Sequence, residues 1–371
     1  MERWWPALPL AGVAAVGAYY VGRASTEKEQ QDSSSHGYRL RTNLTDENAM
    51  RIAKFLAQYA PPLDFKFHKG QHGRLAVVGG SKDYTGAPYY AGMAALQAGA
   101  ELVYILTAEE ACIPIKSYSP ELMVSPFYSA QAIAAEEKWA TQCAAKVTSR
   151  LPRLHALIIG PGLGRRVEMV AVVKNIIKQA ASLPKPLPIV IDADGLWMVT
   201  QAPEMVRCAN VILTPNKVEF DRLWKAVCGE QKRTSPERDI QHLSKAMGGV
   251  TIIHKGPSDL ISSGVTVLKC SEKGAPRRPG GIGDVLSGIV GLFVAWAEMG
   301  VRRQEAANEK NTTREAIYSE AAYCACTIVR KSWEETFLQK RRSSGVPDLL
   351  QVIGRVLNAL DVPLEKLASK M

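Results

Sequence analysis

Cysteine, acidic side chains and long apolar runs are all scarce in this chain of 371 residues. The seven cysteines, at 112, 143, 208, 228, 270, 324 and 326, are odd in number and scattered. That pattern excludes the disulfide framework of small secreted domains and points to a reducing compartment. Cys324 and Cys326, the closest pair, have no second Cys or His pair at metal-ligand spacing, which leaves no zinc site to expect. Asp and Glu number 36 against 46 Lys and Arg, a net charge of +10. Such a balance favours anionic partners, whether nucleotides, nucleic acid or an acidic membrane face. Nucleic acid has charge alone behind it and no motif, so no nucleic-acid partner is expected. Internal repeats are absent, and with 46% hydrophobic and 22% charged residues the chain reads as globular material.

The one long uncharged stretch runs from Trp4 to Gly22. As a helix it would reach about 28 Å, close to the roughly 30 Å hydrocarbon core of a bilayer. Pro6 and Pro9 weaken it, and Arg3 and Arg23 flank both ends, so its orientation is not readable. A signal anchor, a cleaved signal and a mitochondrial presequence all fit. The expected location is the mitochondrion, with the cytoplasm or an ER-membrane anchor as alternatives. Residues 24–45 are polar, with Gln30-Gln31-Asp32-Ser33-Ser34-Ser35 among them, and read as a linker. Sequons at Asn43 and Asn311 matter only if the chain enters the secretory lumen.

Beyond the linker, short apolar runs recur at 75–78, 102–106, 156–159, 189–191, 211–213 and 251–253. Each is too short for a helix, and helical patterns over 87–98 and 217–227, ended by Gly99 and Gly229, lie between them. Continuous apolar strands alternating with helices predict an α/β fold, a doubly wound and mostly parallel sheet covered on both faces. Residues 258–270 read instead as a hairpin turning at Ser263-Gly264, an antiparallel edge.

In such sheets ligands lie beyond the carboxyl ends of the strands. Glycine-rich loops fall there, at Gly79-Gly80 and at Gly160-Pro161-Gly162-Leu163-Gly164; neither has dinucleotide-fingerprint spacing. Asp192 and Asp194 end another strand, where they suit magnesium or cap a helix. In Thr214-Pro215-Asn216-Lys217-Val218-Glu219-Phe220-Asp221-Arg222, Asn216 and Glu219 have capping-box spacing. The same two side chains suit magnesium-bound water and phosphate. His254-Lys255-Gly256-Pro257-Ser258-Asp259 follows a strand and would bring backbone near an adenine or ribose. Most informative is Gly274-Ala275-Pro276-Arg277-Arg278-Pro279-Gly280-Gly281-Ile282-Gly283-Asp284, opening a helix in which only Asp284 and Glu298 are charged up to Met299. Glycines there leave amide donors bare beside one carboxylate, which suits a general base next to an anion cradle.

Taken together these segments resemble the ribokinase-like superfamily, and within it the ATP-dependent NAD(P)H-hydrate dehydratase family. The resemblance also rests on His68-Lys69-Gly70-Gln71-His72-Gly73-Arg74, Tyr84-Thr85-Gly86-Ala87-Pro88-Tyr89 and Ser119-Pro120-Glu121-Leu122. It covers roughly 46–365 and implies a three-layer ribokinase-like domain there, behind a targeting or anchoring segment and linker at 1–45. It implies that Gly162 and the run Asn216 to Arg222 contact hydrated NADH or NADPH. Lys255 to Asp259 and Gly274 to Gly283 would line an ATP site, and Asp284 would be the base, with Gly281 and Gly283 in the anion hole. Mg²⁺ would be the cofactor, reached by Glu219 through water. ATP rather than ADP is the expected donor. A partnership with NAD(P)H-hydrate epimerase is implied; membrane contact through residues 4–22 and a homo-oligomer are compatible with it. The polar segment 301–314 reads as a tolerated insertion, and the tail past Ser332 carries no motif. A hydroxyl kinase of the same superfamily and a membrane-tethered nucleotide binder without catalysis are the competing readings.

Overall fold

The computed structural model describes residues 46–361 apart from 134–135, 186, 208–209 and 308–312. The stretch Trp4 to Gly22, the linker, both sequons, Cys208 and the tail from 362 lie outside the described residues.

Nine strands form one sheet in the order β3-β2-β1-β4-β5-β6-β7-β8-β9. They are β1 Arg74–Val78, β2 Leu102–Ala108, β3 Met123–Tyr128, β4 Ala156–Ile159, β5 Ile189–Ile191, β6 Val211–Leu213, β7 Thr251–His254, β8 Asp259–Ser262 and β9 Val267–Cys270. The first seven run parallel, and β8 and β9 add the expected antiparallel hairpin. Leu75 to Val78, Ala156 to Ile159 and Ile189 to Ile191 are completely buried. A central parallel strand is covered on both faces, so its side chains are apolar without alternation.

Only β3 escaped the periodicity, because Ser125 and Pro126 interrupt it. Pro126 lies opposite Thr107 at the sheet edge, where a missing donor on the outer side leaves no ladder bond unmade.

One helical layer contains α1 Asp46–Tyr59, α2 Gly86–Gln97, α9 Ile282–Ala306, α10 Arg314–Lys340 and α11 Val346–Asn358. The other runs through α4 Glu137–Thr148, α5 Glu168–Ala181, α6 Asp194–Gln201, α7 Lys217–Cys228 and α8 Pro236–Ala246. Helix α3, Glu109–Tyr118, covers β2 and β3. By length and composition α9 could cross a bilayer, yet it packs between α2, α10 and the sheet and is largely buried. A helix apolar all round is what the centre of a three-layer domain requires.

The expectation that 301–314 is an insertion is corrected by this helix for residues 301–306, while 308–312 lie outside the described residues. Residues 301–306 are its last turns, and Arg303 donates to the carbonyls of Tyr59 at 2.8 Å and Ala60 at 3.1 Å. Polar side chains there tether the end of a core helix to α1.

Backbone meets backbone where α9 crosses α2, since a β-carbon on Gly288 would lie 2.0 Å from the Ala91 carbonyl oxygen. Gly288→Ala should gain about 1 kcal/mol of helix propensity but lose about 1–3 kcal/mol or more by overpacking. The net effect is a lower melting temperature. A variant as stable as the parent chain in urea or thermal unfolding would refute this close approach.

Candidate active site

Strand order reverses between β1 and β4, and at that switch point the loops leaving the two strands touch. Gly80 donates its N–H to the Pro161 carbonyl at 2.9 Å, and a β-carbon on Gly79 would lie 2.3 Å from the same oxygen. The Gly79-Gly80 amides are used within the protein, so this pair shapes the crevice and leaves phosphate binding to other loops. Gly160 is equally structural, because a β-carbon there would lie 1.9 Å from the Asp192 carbonyl. Gly162 adopts a φ of 64° with Tyr84 packed against it. It therefore stands beside the 58% exposed Tyr84 at the mouth of the crevice.

Neither Asp192 nor Asp194 caps a helix, contrary to the simpler reading of that strand end. The N-cap of α6 is Ala193, strained at φ 49°, and no side chain caps it. Asp194 instead holds the glycine loop, accepting from the Gly164 N–H and from Arg165 Nε, both at 2.9 Å. Asp192, 2% exposed, accepts from the Thr214 hydroxyl at 2.7 Å and from Lys255 Nζ at 2.8 Å. Lys255 Nζ also lies 4.0 Å from Glu219. Burial alone would lower the Lys255 ammonium, yet Asp192, Glu219 and Asp284 hold it above its ordinary range.

The Asn216 and Glu219 alternatives prove compatible. Asn216 Oδ1 accepts the Glu219 N–H at 3.0 Å, and Glu219 Oε2 accepts the Asn216 N–H at 2.8 Å, a complete capping box. Burial, opposed by Lys255, pushes the Glu219 carboxyl up. Of the remaining run, Lys217, Val218 and Arg222 are exposed. Phe220 is packed into the core and stacks on His254, centroids 4.2 Å apart, and Asp221 pairs with Arg233 at 2.7 Å. These last two side chains secure α7.

Helix α9 delivers Asp284 to this group. Gly281 is its N-cap, at φ 101°, with no side-chain cap. Asp284, two residues inside the helix, therefore caps nothing, which removes the simplest structural reason for a carboxylate there. A β-carbon on Gly283 would stand 3.5 Å from Lys255 Nζ and 3.8 Å from Asp192 Oδ2, so the helix start abuts the lysine and carboxylate. Desolvation, followed by the negative charge of Asp192, pushes the Asp284 carboxyl up to about 7, with Lys255 opposing and Asp194 and Glu219 adding to the rise.

A cleft of about 530 Å³ opens from these residues. Of the residues expected at an ATP site, Lys255, Gly256, Pro257, Asp259, Gly274, Ala275, Pro276, Arg278, Pro279, Ile282 and Gly283 line it, and Asn216, expected to meet the dinucleotide, lines it as well. Ser258 and Arg277 do not. The Ser258 hydroxyl is 3.3 Å from that of Ser271, and Arg277 donates to the Ser344 carbonyl at 2.7 Å. Gly280 and Gly281 are absent from the lining too. Sequence reasoning missed Lys273, Leu286 and four residues of α10: Cys326, Val329, Arg330 and Trp333. At i, i+3, i+4 and i+7 these four share one face of α10, and Trp333 lies in the stretch past Ser332 that carries no motif.

The segment 68–74 does not lie at the substrate end, as its position before β1 places it at the opposite, amino edge of the sheet. There Glu101 accepts from the Gly70 N–H at 2.5 Å and from His72, while Trp296 donates to the His72 carbonyl at 2.6 Å. These residues form a structural knot.

A family model described as NAD(P)H-hydrate dehydratase matches residues 75–353. The chain belongs to the NAD(P)H-hydrate dehydratase family. A mouse ATP-dependent (S)-NAD(P)H-hydrate dehydratase is 40% identical over 324 residues, covering 86% of this chain and 89% of that protein. The Ixodes scapularis protein of the same name is 41% identical over 304 residues, covering 81% and 92%. Among solved structures, a ribokinase-like superfamily protein from Enterococcus faecalis superposes with a TM-score of 0.64 at 21% identity, covering 84% of this chain and 95% of that one. The Bacillus subtilis ADP/ATP-dependent NAD(P)H-hydrate dehydratase, co-crystallised with ATP and Mg²⁺, gives 0.61 at 18% identity, covering 84% and 97%. The ribokinase-like fold of the family is thus this chain's fold.

Asp192→Asn removes both the charge that raises Asp284 and the anchor of Lys255. The acid limb of the pH–rate profile should move below pH 7, with turnover reduced about tenfold to a hundredfold. A limb that stays in place or moves up would show that Asp192 and Asp284 are not coupled.

Proposed function

We propose that this chain catalyses ATP-dependent dehydration of (S)-NAD(P)H hydrate, returning NADH or NADPH with ADP and phosphate. The observation that carries the reading is Asp284, a desolvated carboxyl pushed up to about 7 at the start of a core helix that abuts Lys255, beside a nucleotide-sized cleft lined by Lys255 and Gly283. A base needs a pKa close to working pH and a place near the phosphoryl acceptor.

Hydroxide is a poor leaving group, so water leaves the hydrated ring slowly. In the proposed sequence the ring hydroxyl oxygen bonds to the γ-phosphorus of ATP as the bridging bond to ADP breaks, and Asp284 takes its proton. The amides of Gly281 and Gly283 and the Lys255 ammonium face the transferring phosphoryl charge. The ring-nitrogen lone pair then expels phosphate, and the neighbouring carbon gives up a proton to restore the double bond. Gly162 and the run from Asn216 would meet the dinucleotide, with exposed Lys217 and Arg222 available to its phosphates.

Among the described residues no group of three or more His, Cys, Asp or Glu could hold a metal ion. Mg²⁺ needs no such group, since it takes one or two carboxylates and fills its shell with water and substrate phosphates. Glu219, fixed by Asn216 and half-buried beside Lys255, would hold it through water. When bound, the ion supplies charge neutralisation at the phosphates.

The (S) specificity makes an epimerase acting on the (R) hydrate a natural functional partner. The segment 1–45 is proposed to direct the chain to the mitochondrion; imaging a fusion with and without it tests this, and unchanged localisation would reject it.

The deciding assay incubates the protein with hydrated NADH, Mg²⁺ and ATP and follows dihydronicotinamide absorbance. Return of absorbance with stoichiometric ADP and phosphate supports the dehydratase; ATP consumption leaving a stable phosphate ester of another alcohol supports a hydroxyl kinase. Asp284→Asn should slow turnover about a hundredfold to ten-thousandfold with ATP binding retained. Because the base must be ionised, parent turnover should rise through about pH 7. The stability effect has the opposite sense. A carboxyl raised in the folded state stabilises below its unfolded pKa and loses that contribution as pH rises towards 7. Asp284→Asn should therefore melt higher than the parent at pH 8, with the difference shrinking towards pH 4. An Asn variant with parental turnover would remove the base assignment.

A further inference from the structure

The cleft lining has two parts of unlike chemistry. Lys255 and Gly283 adjoin Asp284 and, with Asn216, give the lining its polar part; Pro257, Ala275, Val329 and Trp333 give it an apolar one. Arg330 of α10 lines the same cleft, its side chain 15% exposed.

The Arg330 guanidinium has five N–H groups, and the protein occupies them all. Nε donates to Asp259 Oδ2 at 2.6 Å, and one terminal nitrogen donates to Asp259 Oδ1 at 2.7 Å and the Gly256 carbonyl at 2.6 Å. The other donates to the carbonyls of Pro257 at 2.9 Å and Glu272 at 3.2 Å. Asp259 Oδ1 also accepts the Gly256 N–H at 3.0 Å. One planar group thus closes the loop after β7 and ties it to the segment after β9. Glu272 is held in turn from α1, where Asn48 Nδ2 donates to its carboxylate at 2.6 Å.

A phosphate finds no hydrogen left on Arg330. What remains for a ligand is the guanidinium face and its aliphatic stem, surfaces that suit a flat aromatic base. Trp333 is committed in the same way, its indole N–H bonded to the Arg277 carbonyl at 2.8 Å, which leaves the ring as apolar wall.

We propose that Arg330 is a positioning residue for the nucleobase of the phosphate donor: it fixes both loops at the apolar part of the cleft, and the base lies against its face beside Trp333. This rests on reading the cleft as the ATP site, but the test is independent of turnover. Binding of ATP and of inorganic tripolyphosphate, each with Mg²⁺, is measured calorimetrically on the full chain and on Arg330→Lys, which keeps the cation but cannot make five planar bonds. ATP affinity should fall about tenfold or more while tripolyphosphate affinity changes by less than about twofold. In turnover, KM for ATP should rise and kcat at saturating ATP should stay within about threefold.

Unchanged ATP affinity in Arg330→Lys would overturn the proposal. So would equal losses for ATP and tripolyphosphate, the mark of general loosening, or a parent chain that binds tripolyphosphate as tightly as ATP. If Arg330→Lys does not fold, Trp333→Leu carries the test, with the same selective loss of ATP expected and its absence decisive against the assignment. Base-selective binding without NADH recovery would sink the dehydratase reading alone.

Discussion

Three carboxylates converge on one ammonium at the carboxyl end of the sheet, and most of the local architecture serves that group. Lys255 bonds to Asp192 at 2.8 Å and lies 4.0 Å from Glu219, and the start of α9 brings Asp284 into the same field. Each member comes from a different strand end or helix start, so the group exists only if β5, β6, β7 and α9 are in register. Thr214, at the end of β6, supplies Asp192 with a second hydrogen bond. Gly160 is a glycine because a β-carbon there would press on the Asp192 carbonyl, 1.9 Å away.

One positive charge among three negative ones is unfavourable on its own, and breaking a buried pair by removing one partner costs about 3–5 kcal/mol. The fold tolerates the imbalance by leaving Asp284 partly protonated near neutral pH. That is a cost in stability and an asset in chemistry, since the charge that destabilises the ionised carboxyl makes it a stronger proton acceptor. Burial of α9 behind Asp284 supplies the compensating apolar packing, and the Gly288 contact with α2 fixes the angle at which the helix start arrives.

Much of this was legible in the sequence, for identifiable reasons. Strands β4, β5 and β6 were readable to the residue because central parallel strands are apolar throughout. The hairpin was readable from Ser263-Gly264, and the helix carrying Asp284 from its lack of charge. What failed to show depended on position relative to other elements. Pro126 disguised an edge strand. The segment around His72 counted only towards the family resemblance; its place before β1 reveals the edge it occupies. Arg330 and Trp333 were hidden because α10 is buried on both sides, so no single stripe stood out, and nothing local tells which face closes a cleft some seventy residues away in sequence.

The charge excess of +10 takes on a more specific meaning beside this acidic floor. Lys217, Arg222, Arg165, Lys273 and Arg278 are exposed around the crevice, whereas the buried carboxylates lie beneath. Polyanions are drawn by the rim at long range, where screening acts over about 8–10 Å. They then meet a floor whose net charge is negative, which opposes phosphate unless cations arrive with it. If phosphoryl transfer takes place at Lys255, as proposed, a cleft arranged in this way would favour nucleotide carried as a metal complex over the bare anion.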